Sequence, residues 1–269
     1  MPELPEVEVG RRIAEDACVG KRIEYVYAAE DDIVYAGVSP KSFARKLKGR
    51  RVEAVHRRGK QLWMTLDAPP HPLFHFGMTG GFGAYRDEAD RHAYCKCELL
   101  MDDGTRLGMK NSRRLGRIRL QHDPEHEEPL SKLGFDPLLD LPGPEAFAEA
   151  VRSRRAPVKA LLLDQGFAAG MGNWTADEVL YQAKLSPHRR CDSLHDEEIR
   201  RLRTKLRYVI RKAVECDADY RRFPESWLFR HRWQLRDSKK DEIRDHAGQR
   251  VAFDKIGGRT TSWVPARQH

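Results

Sequence analysis

The chain begins MPELPEVEVGRR at residues 1–12, and the way those residues fold sets the rest of the molecule. A proline in second place permits removal of Met1, which exposes a secondary amine on Pro2. Such an amine attacks an aldehyde-like carbon and gives a cationic iminium, an electron sink of the kind lysine Schiff bases provide. Glu3 sets a carboxyl beside it to move protons. Pro5 suits the first turn of a helix, where a missing N–H costs nothing. Val7, Val9, Ile13, Ala14 and Ala17 supply that helix with apolar positions, and Gly20 ends it. The positive helix terminus disfavours the ammonium form of the amine and favours an ionised Glu3, so an acid role for Glu3 requires compensating burial. The same residues also suit a plain helix start in which Pro2 opens the turn and Glu3 complements the dipole.

Outward from that helix, residues 21–121 carry short alternating runs. Ile23, Tyr25 and Tyr27 predict one strand, and Ser39-Pro40 with Phe43 and Leu47 a short capped helix. Strands are expected at 52–56 and 62–66, joined through Arg57-Arg58-Gly59-Lys60, and at 73–79 before Gly80-Gly81. A hairpin follows at 94–101 and 105–109 around Asp102-Asp103-Gly104, then a strand at 118–121. Many short strands with turn signals predict a sandwich or barrel rather than βαβ units. Residues 126–144, rich in Pro, Gly and acids, read as a linker. Beyond it the period becomes helical: 145–152, 157–164, 173–184 after Gly170-Met171-Gly172, and 193–216. The last carries the stripe Leu194, Ile199, Leu202, Leu206, Ile210 and Val214 behind a Ser193-x-x-Asp196 start. A hairpin at 250–254 and 259–264 turns at Gly257-Gly258.

Hydrophobic residues make up 40% of the 269 and charged residues 33%, enough for two domains with cores. No apolar run of membrane length and no signal peptide core is present, which predicts a soluble cytoplasmic protein, nucleoid-associated if bacterial. Lys and Arg number 49 against 41 Asp and Glu, a net charge of +8 that favours a polyanionic partner. The five cysteines, Cys18, Cys95, Cys97, Cys191 and Cys216, are scattered without a C-x-x-C, so neither a disulfide framework nor a zinc site is indicated.

Four segments together resemble the formamidopyrimidine-DNA glycosylase and endonuclease VIII family of base-excision repair enzymes. They are PELPEVEVGRR at 2–12, RRGKQLWM at 57–64, HFGMTGG at 75–81 with NSRRLGR at 111–117, and PVKALLLDQGFAAGMGNWTADEVL at 157–180. The resemblance implies an α+β fold: an N-terminal helix plus two-layer β-sandwich at 1–125, the linker at 126–144, a helix-two-turn-helix domain at 145–222 and a C-terminal β-hairpin at 223–269. Damaged double-stranded DNA is expected in a basic cleft between the domains, gripped by a monomer. Pro2 is then the nucleophile at C1′ of the damaged nucleotide, and Glu3 handles protons at the sugar ring oxygen. Glu6 is the supporting acid, and Lys60 assists and contacts a phosphate. Met78, Arg113 and Leu115 match the positions that fill the gap left by a flipped nucleotide. Leu115 stands where phenylalanine is common in formamidopyrimidine glycosylases. Arg114, Lys159, Asn173 and Arg259 are expected on phosphates; Asn173 also suits a simple N-cap.

The C-terminus departs from the family. Most bacterial members end in a four-cysteine zinc finger, whereas here Val264 and Arg267 fall where cysteines would, and no cysteine follows Cys216. His231, His246 and His269 lack metal-ligand spacing, so no metal and no cofactor are expected. The end resembles the zincless finger of vertebrate Nei-like glycosylases, with packing by Trp227, Phe229, Trp233, Phe253 and Trp263 holding the hairpin. The segment 217–227 is short where the family often carries a loop that caps flipped 8-oxoguanine, which weighs against efficient excision of that base. The PELPEVE start leans towards formamidopyrimidines and the zinc-free end towards oxidised pyrimidines. Excision followed by β- and δ-elimination is the activity implied; the alternative is a non-catalytic DNA-damage-binding protein that retains the family cleft. A general helix-two-turn-helix nucleic-acid binder leaves the N-terminal signature without a purpose.

Overall fold

Glu3 caps helix α1 (Leu4–Cys18), and its backbone N–H donates to the Glu6 carboxylate at 2.9 Å. That carboxylate answers one of the otherwise unpaired donors at a helix start. The structure, a computed structural model, describes residues 2–232 and 243–269. Helix α1 buries Val7, Ala14, Ala17 and Cys18 in the core of the first unit, 1–132. Gly10 lets it approach closely, since a Cβ there would stand 2.7 Å from the Phe76 ring.

After α1 come β1 (Ile23–Ala28), α2 (Pro40–Leu47), β2 (Val52–Arg58), β3 (Gln61–Leu66), β4 (His71–His75), β5 (Gly81–Tyr85), β6 (Cys95–Met101), β7 (Arg106–Lys110) and β8 (Arg117–Gln121). They form two four-stranded antiparallel sheets, β1-β6-β7-β5 and β2-β3-β4-β8, with an apolar core between. The expected sandwich is therefore present, with two local differences. A bulge between Ile23 and Tyr25 shifts the alternation of β1, so Ile23 and Val26 are buried and Tyr25 is 50% exposed. The strand expected over 73–79 stops at His75, and β5 begins at Gly81; its two glycines hid it from periodicity. Ser39 caps α2 as expected, its hydroxyl accepting the Ser42 N–H at 3.2 Å.

The second unit, 133–269, takes in the latter part of the stretch read as a linker. Phe135 packs against Phe147 and Phe167, and its carbonyl accepts the Ala169 N–H at 2.8 Å. Its elements are α3 (Pro144–Arg152), α4 (Val158–Leu163), α5 (Asn173–Ala183), α6 (Asp196–Glu215), α7 (Leu228–Arg232), β9 (Ala252–Ile256) and β10 (Arg259–Trp263). Helix α6 starts later than expected. His195 is its cap, with its N–H donating to Glu198 at 2.9 Å, and Ser193 lies in the preceding 3-10 turn. Leu202, Leu206 and Ile210 are fully buried along its stripe. Strands β9 and β10 pair antiparallel and turn at Gly257 and Gly258, whose φ values of 57° and 74° suit a two-residue hairpin loop. All five cysteines are free and buried, as core thiols should be. Among the described residues, no helix is long and apolar enough to cross a membrane.

Candidate functional site

One end of the sandwich collects most of the expected chemistry. Pro2 is partly buried immediately before the α1 cap, and Glu3 is only 1% exposed. Glu6, through its hold on the Glu3 backbone, fixes where that carboxyl begins. Helix α1 packs on β2 and β3, whose connecting turn, Gly59-Lys60, opens at the same end. Beneath the turn lies a pair that the sequence did not reveal. Arg57 donates through Nε to Glu8 Oε2 at 2.9 Å and through Nη1 to the Gly59 carbonyl at 3.1 Å. Both side chains are buried, at 1% and 8% exposure.

Two loops complete this end. Met78 lies 36% exposed in the loop after β4, and Leu115 lies 43% exposed in the loop after β7. The loops are fastened back to back: Asn111, fully buried, donates to the Phe76 carbonyl at 2.8 Å and accepts the Gly116 N–H at 3.1 Å. Thr79 Oγ1 accepts the Arg113 N–H at 3.3 Å. A Cβ on Gly77, at φ 64°, would lie 2.4 Å from the Leu115 carbonyl carbon, so only glycine allows this contact. Met78, Arg113 and Leu115 are thus brought together on one exposed edge. His75 opens the Met78 loop with its Nδ1 accepting the Gly77 N–H at 3.3 Å. Burial, reinforced by Lys60, Arg119 and Arg117, pushes the His75 pKa down to about 4.

Arg114 differs from expectation. Its guanidinium is engaged by Asp31, with Nε–Oδ2 and Nη2–Oδ1 both at 3.0 Å, so it anchors the loop while its side chain stays 50% exposed. Burial would raise the Asp31 pKa, but Arg114 and Lys96 outweigh it and hold the carboxyl down to about 2.

In the second unit Lys159 also differs. Its side chain is fully buried, pairing with Asp177 and donating to Asn173 Oδ1 at 2.9 Å, so no surface is left for a phosphate. Asn173 is the first residue of α5, not its cap, which is Gly172. Its amide donates to the Thr260 carbonyl of the hairpin at 2.8 Å. Asp177 Oδ2 accepts the Ser262 N–H at 3.1 Å and meets Arg232 at 2.7 Å. Arg259 stays exposed at the hairpin turn.

The hairpin is also held differently from the all-aromatic packing expected. Trp227 and Phe229 join Trp174 and Phe223 in a cluster on the helices. Trp233 lies outside the described residues, as does Met1. Phe253 does pack with the hairpin core of Tyr181, Leu228, Ile243, Val251 and Val264, and Trp263 bonds Asp254 at 2.7 Å. Val264 is fully buried, and Arg267 pairs with Asp245 at 3.1 Å. The two positions where cysteines would fall therefore serve apolar packing and an ion pair. Among the described residues, no three His, Cys, Asp or Glu side chains are grouped to hold a metal ion.

Comparison with known proteins agrees with this arrangement. A family model for the formamidopyrimidine-DNA glycosylase N-terminal domain matches residues 1–118, and one for the formamidopyrimidine-DNA glycosylase H2TH domain matches residues 133–224. A formamidopyrimidine-DNA glycosylase of Arabidopsis thaliana is 40% identical over 281 residues, covering 100% of this chain and 71% of that protein. One from Thermus thermophilus is 35% identical over 279 residues, covering 100% and 98%. A Lactococcus lactis Fpg solved with DNA containing an abasic site superposes with a TM-score of 0.83 at 25% identity, covering 99% of each chain. MutM solved with DNA containing carbocyclic 8-oxo-G gives a TM-score of 0.83 at 25% identity over 100% of each chain. Because these matches run the length of the sequence and through both units, the chain belongs to the formamidopyrimidine-DNA glycosylase and endonuclease VIII family.

Proposed function

We propose that Pro2, its amine freed by loss of Met1, is the nucleophile of a DNA glycosylase and abasic-site lyase of base-excision repair that acts on damaged duplex DNA. The observation that carries this reading is the placement of Pro2 directly before a helix cap whose Glu3 side chain is 1% exposed, at the same sandwich end as the Lys60 turn. The Pro2 lone pair bonds to C1′ as the N-glycosidic bond breaks, and the base leaves with its electron pair and takes up the proton that the Pro2 nitrogen gives up. Base departure is coupled to ring opening, in which the ring oxygen leaves C1′ with a proton from Glu3 and the nitrogen lone pair closes the cationic iminium. That cation acidifies the C2′–H, so loss of this proton expels the 3′ phosphate, a second elimination expels the 5′ phosphate, and water releases Pro2. The steps need no redox cofactor.

Lys60 contacts a phosphate beside the reacting sugar, with Glu6 supporting Glu3. Extruding a nucleotide costs a few kcal/mol of stacking and pairing; Met78 and Leu115 wedge the vacated space, and Arg113 meets the widowed base. Asn173 and Arg259 serve the DNA backbone, while Lys159 and Arg114 act by holding Asn173 and the Leu115 loop. Oxidised or ring-opened bases are the substrates, handled by a monomer in the cytoplasm.

Borohydride trapping tests the reading on duplexes carrying an abasic site, 8-oxoguanine, a formamidopyrimidine or an oxidised pyrimidine, with the N-terminal mass checked first. A covalent adduct lost on replacing Pro2 establishes the iminium, and the duplexes that trap name the substrates. Binding without adduct on every duplex, from a chain that starts at Pro2, would overturn it in favour of a non-catalytic binder.

A further inference from the structure

At the end of the sandwich opposite Pro2 and Lys60, a shallow groove of about 390 Å³ is lined by Arg22, Arg45, Lys46, Lys48, Arg50 and the single carboxylate Asp67, with Gly49 and Pro70. Its place follows from the strand ends. The Gly20 N–H donates to the Val52 carbonyl and the Ile23 N–H to the Arg50 carbonyl, which pins the exit of α1 beside the start of β2. The Asp67 N–H donates to the Arg51 carbonyl, which adds the exit of β3. Helix α1, 15 residues long, spans about 22 Å. Strand β2, 7 residues long, spans about 23 Å. The groove therefore stands about that far from the Lys60 turn, with the sandwich core between.

The groove's charge exceeds what folding requires. Residues 41–51 hold Lys41, Arg45, Lys46, Lys48, Arg50 and Arg51 with no acid among them. Arg45 and Lys46 lie in the last turn of α2, where cations suit the helix dipole. That accounts for two of the cations, and Arg22 donates to the Gly49 carbonyl just beyond α2, which leaves Lys48 and Arg50. Asp67 lies 3.8 Å from Arg50, and the nearby Asp103 is matched by Lys21 at 2.9 Å. The groove is open and has no aromatic platform, so it suits phosphates strung along a polymer rather than a nucleobase.

We propose that this groove binds the phosphate backbone of a second DNA segment, separate from the one whose lesion is processed. A duplex held at the Pro2 end cannot curl through the sandwich to reach it. The contact is electrostatic and independent of sequence. Its consequence is direct transfer: a second duplex docks before the first is released, so the enzyme passes between segments without full dissociation. The proposal rests on DNA being the substrate, which turnover of a short lesion duplex by the unaltered protein establishes separately.

The test compares the full-length protein with the triple variant R45A/K46A/K48A, and with Lys41→Ala, which is on α2 but outside the groove. Release of a labelled short lesion duplex is followed as undamaged duplex is added in excess. For the unaltered protein and Lys41→Ala, the release rate should climb roughly fivefold with competitor concentration, as expected for backbone-mediated exchange. For the triple variant it should stay flat while kcat and KM on the short duplex are unchanged. A release rate independent of competitor in the unaltered protein, or the same climb in the triple variant, overturns the proposal. So does weakened short-duplex binding in the triple variant, which would assign the groove to the primary site. Capture of an acidic peptide with no effect of competitor DNA would assign it to a protein partner instead.

Discussion

Arg57 and Glu8 meet as a buried ion pair, Nε to Oε2 at 2.9 Å, and the same guanidinium holds the Gly59 carbonyl at 3.1 Å. One arginine thus ties the helix that follows Pro2 to the turn that presents Lys60. Glu8 also receives Arg11 at 3.0 Å and Arg12 at 3.6 Å, so the carboxylate is the hub of the contact. Removing one partner of such a pair leaves a charge in a site built for two. Glu8→Gln should cost about 3–5 kcal/mol in urea unfolding, and the double variant with Arg57→Met should cost less than Glu8→Gln alone. A loss below about 1 kcal/mol in the single variant would show the pair to be incidental.

The proposed mechanism divides the chemistry between Glu3 and Pro2. Glu3→Gln should depress base excision by about 100-fold while abasic-site cleavage falls far less, because the abasic sugar is already open to attack. Parallel assays on a lesion duplex and an abasic duplex measure the ratio. Equal losses in both would take Glu3 out of the excision step.

Asp177 joins Lys159, Arg232 and the Ser262 N–H, and through Lys159 it orients Asn173. Asp177→Asn should lower stability by about 3 kcal/mol and weaken DNA binding, since it loosens the hairpin that carries Arg259. Combined with Arg259→Ala, the loss in affinity should be less than the two single losses together, as for residues acting through one element. Strict additivity would separate the buried cluster from the hairpin's role.

Arg259 is exposed at the turn and should act as a single phosphate contact. Arg259→Ala should weaken binding to all duplexes alike and reduce the salt slope by about one. An unchanged slope, or a loss confined to one lesion, would contradict that.

His75 gives a pH signature. Its folded pKa is depressed to about 4 from 6.5, so between these values the unfolded chain binds more protons. Its contribution to stability is complete above about pH 6.5 and is lost as pH falls towards 4, on the order of 3 kcal/mol in all. Unfolding from pH 7 to pH 4 should show a shallower decline for His75→Gln than for the unaltered protein. Parallel curves would mean the imidazole titrates normally.

Periodicity and turn residues were enough to place α1, the sandwich, α5 and the C-terminal hairpin, because apolar spacing and paired glycines act over a few residues. Local chemistry by itself pointed to Pro2 and Glu3, whereas Lys60, Met78, Arg113 and Leu115 stood out only through the resemblance of their segments to the family. Burial of charge could not be read that way. Glu8 looks like a solvated helix acid until β2 brings Arg57 beneath it. Lys159 looks like a phosphate hook until Asp177, 18 residues on, encloses its ammonium. Arg114 looks free until Asp31, 83 residues earlier, engages it. Likewise, Val264 and Arg267 show only that cysteines are missing; that apolar packing and the Asp245 pair stand in their place appears once the chain has folded back on itself. Each of these pairings joins residues far apart in sequence, and electrostatic partners are chosen by distance in space, which tertiary structure alone decides.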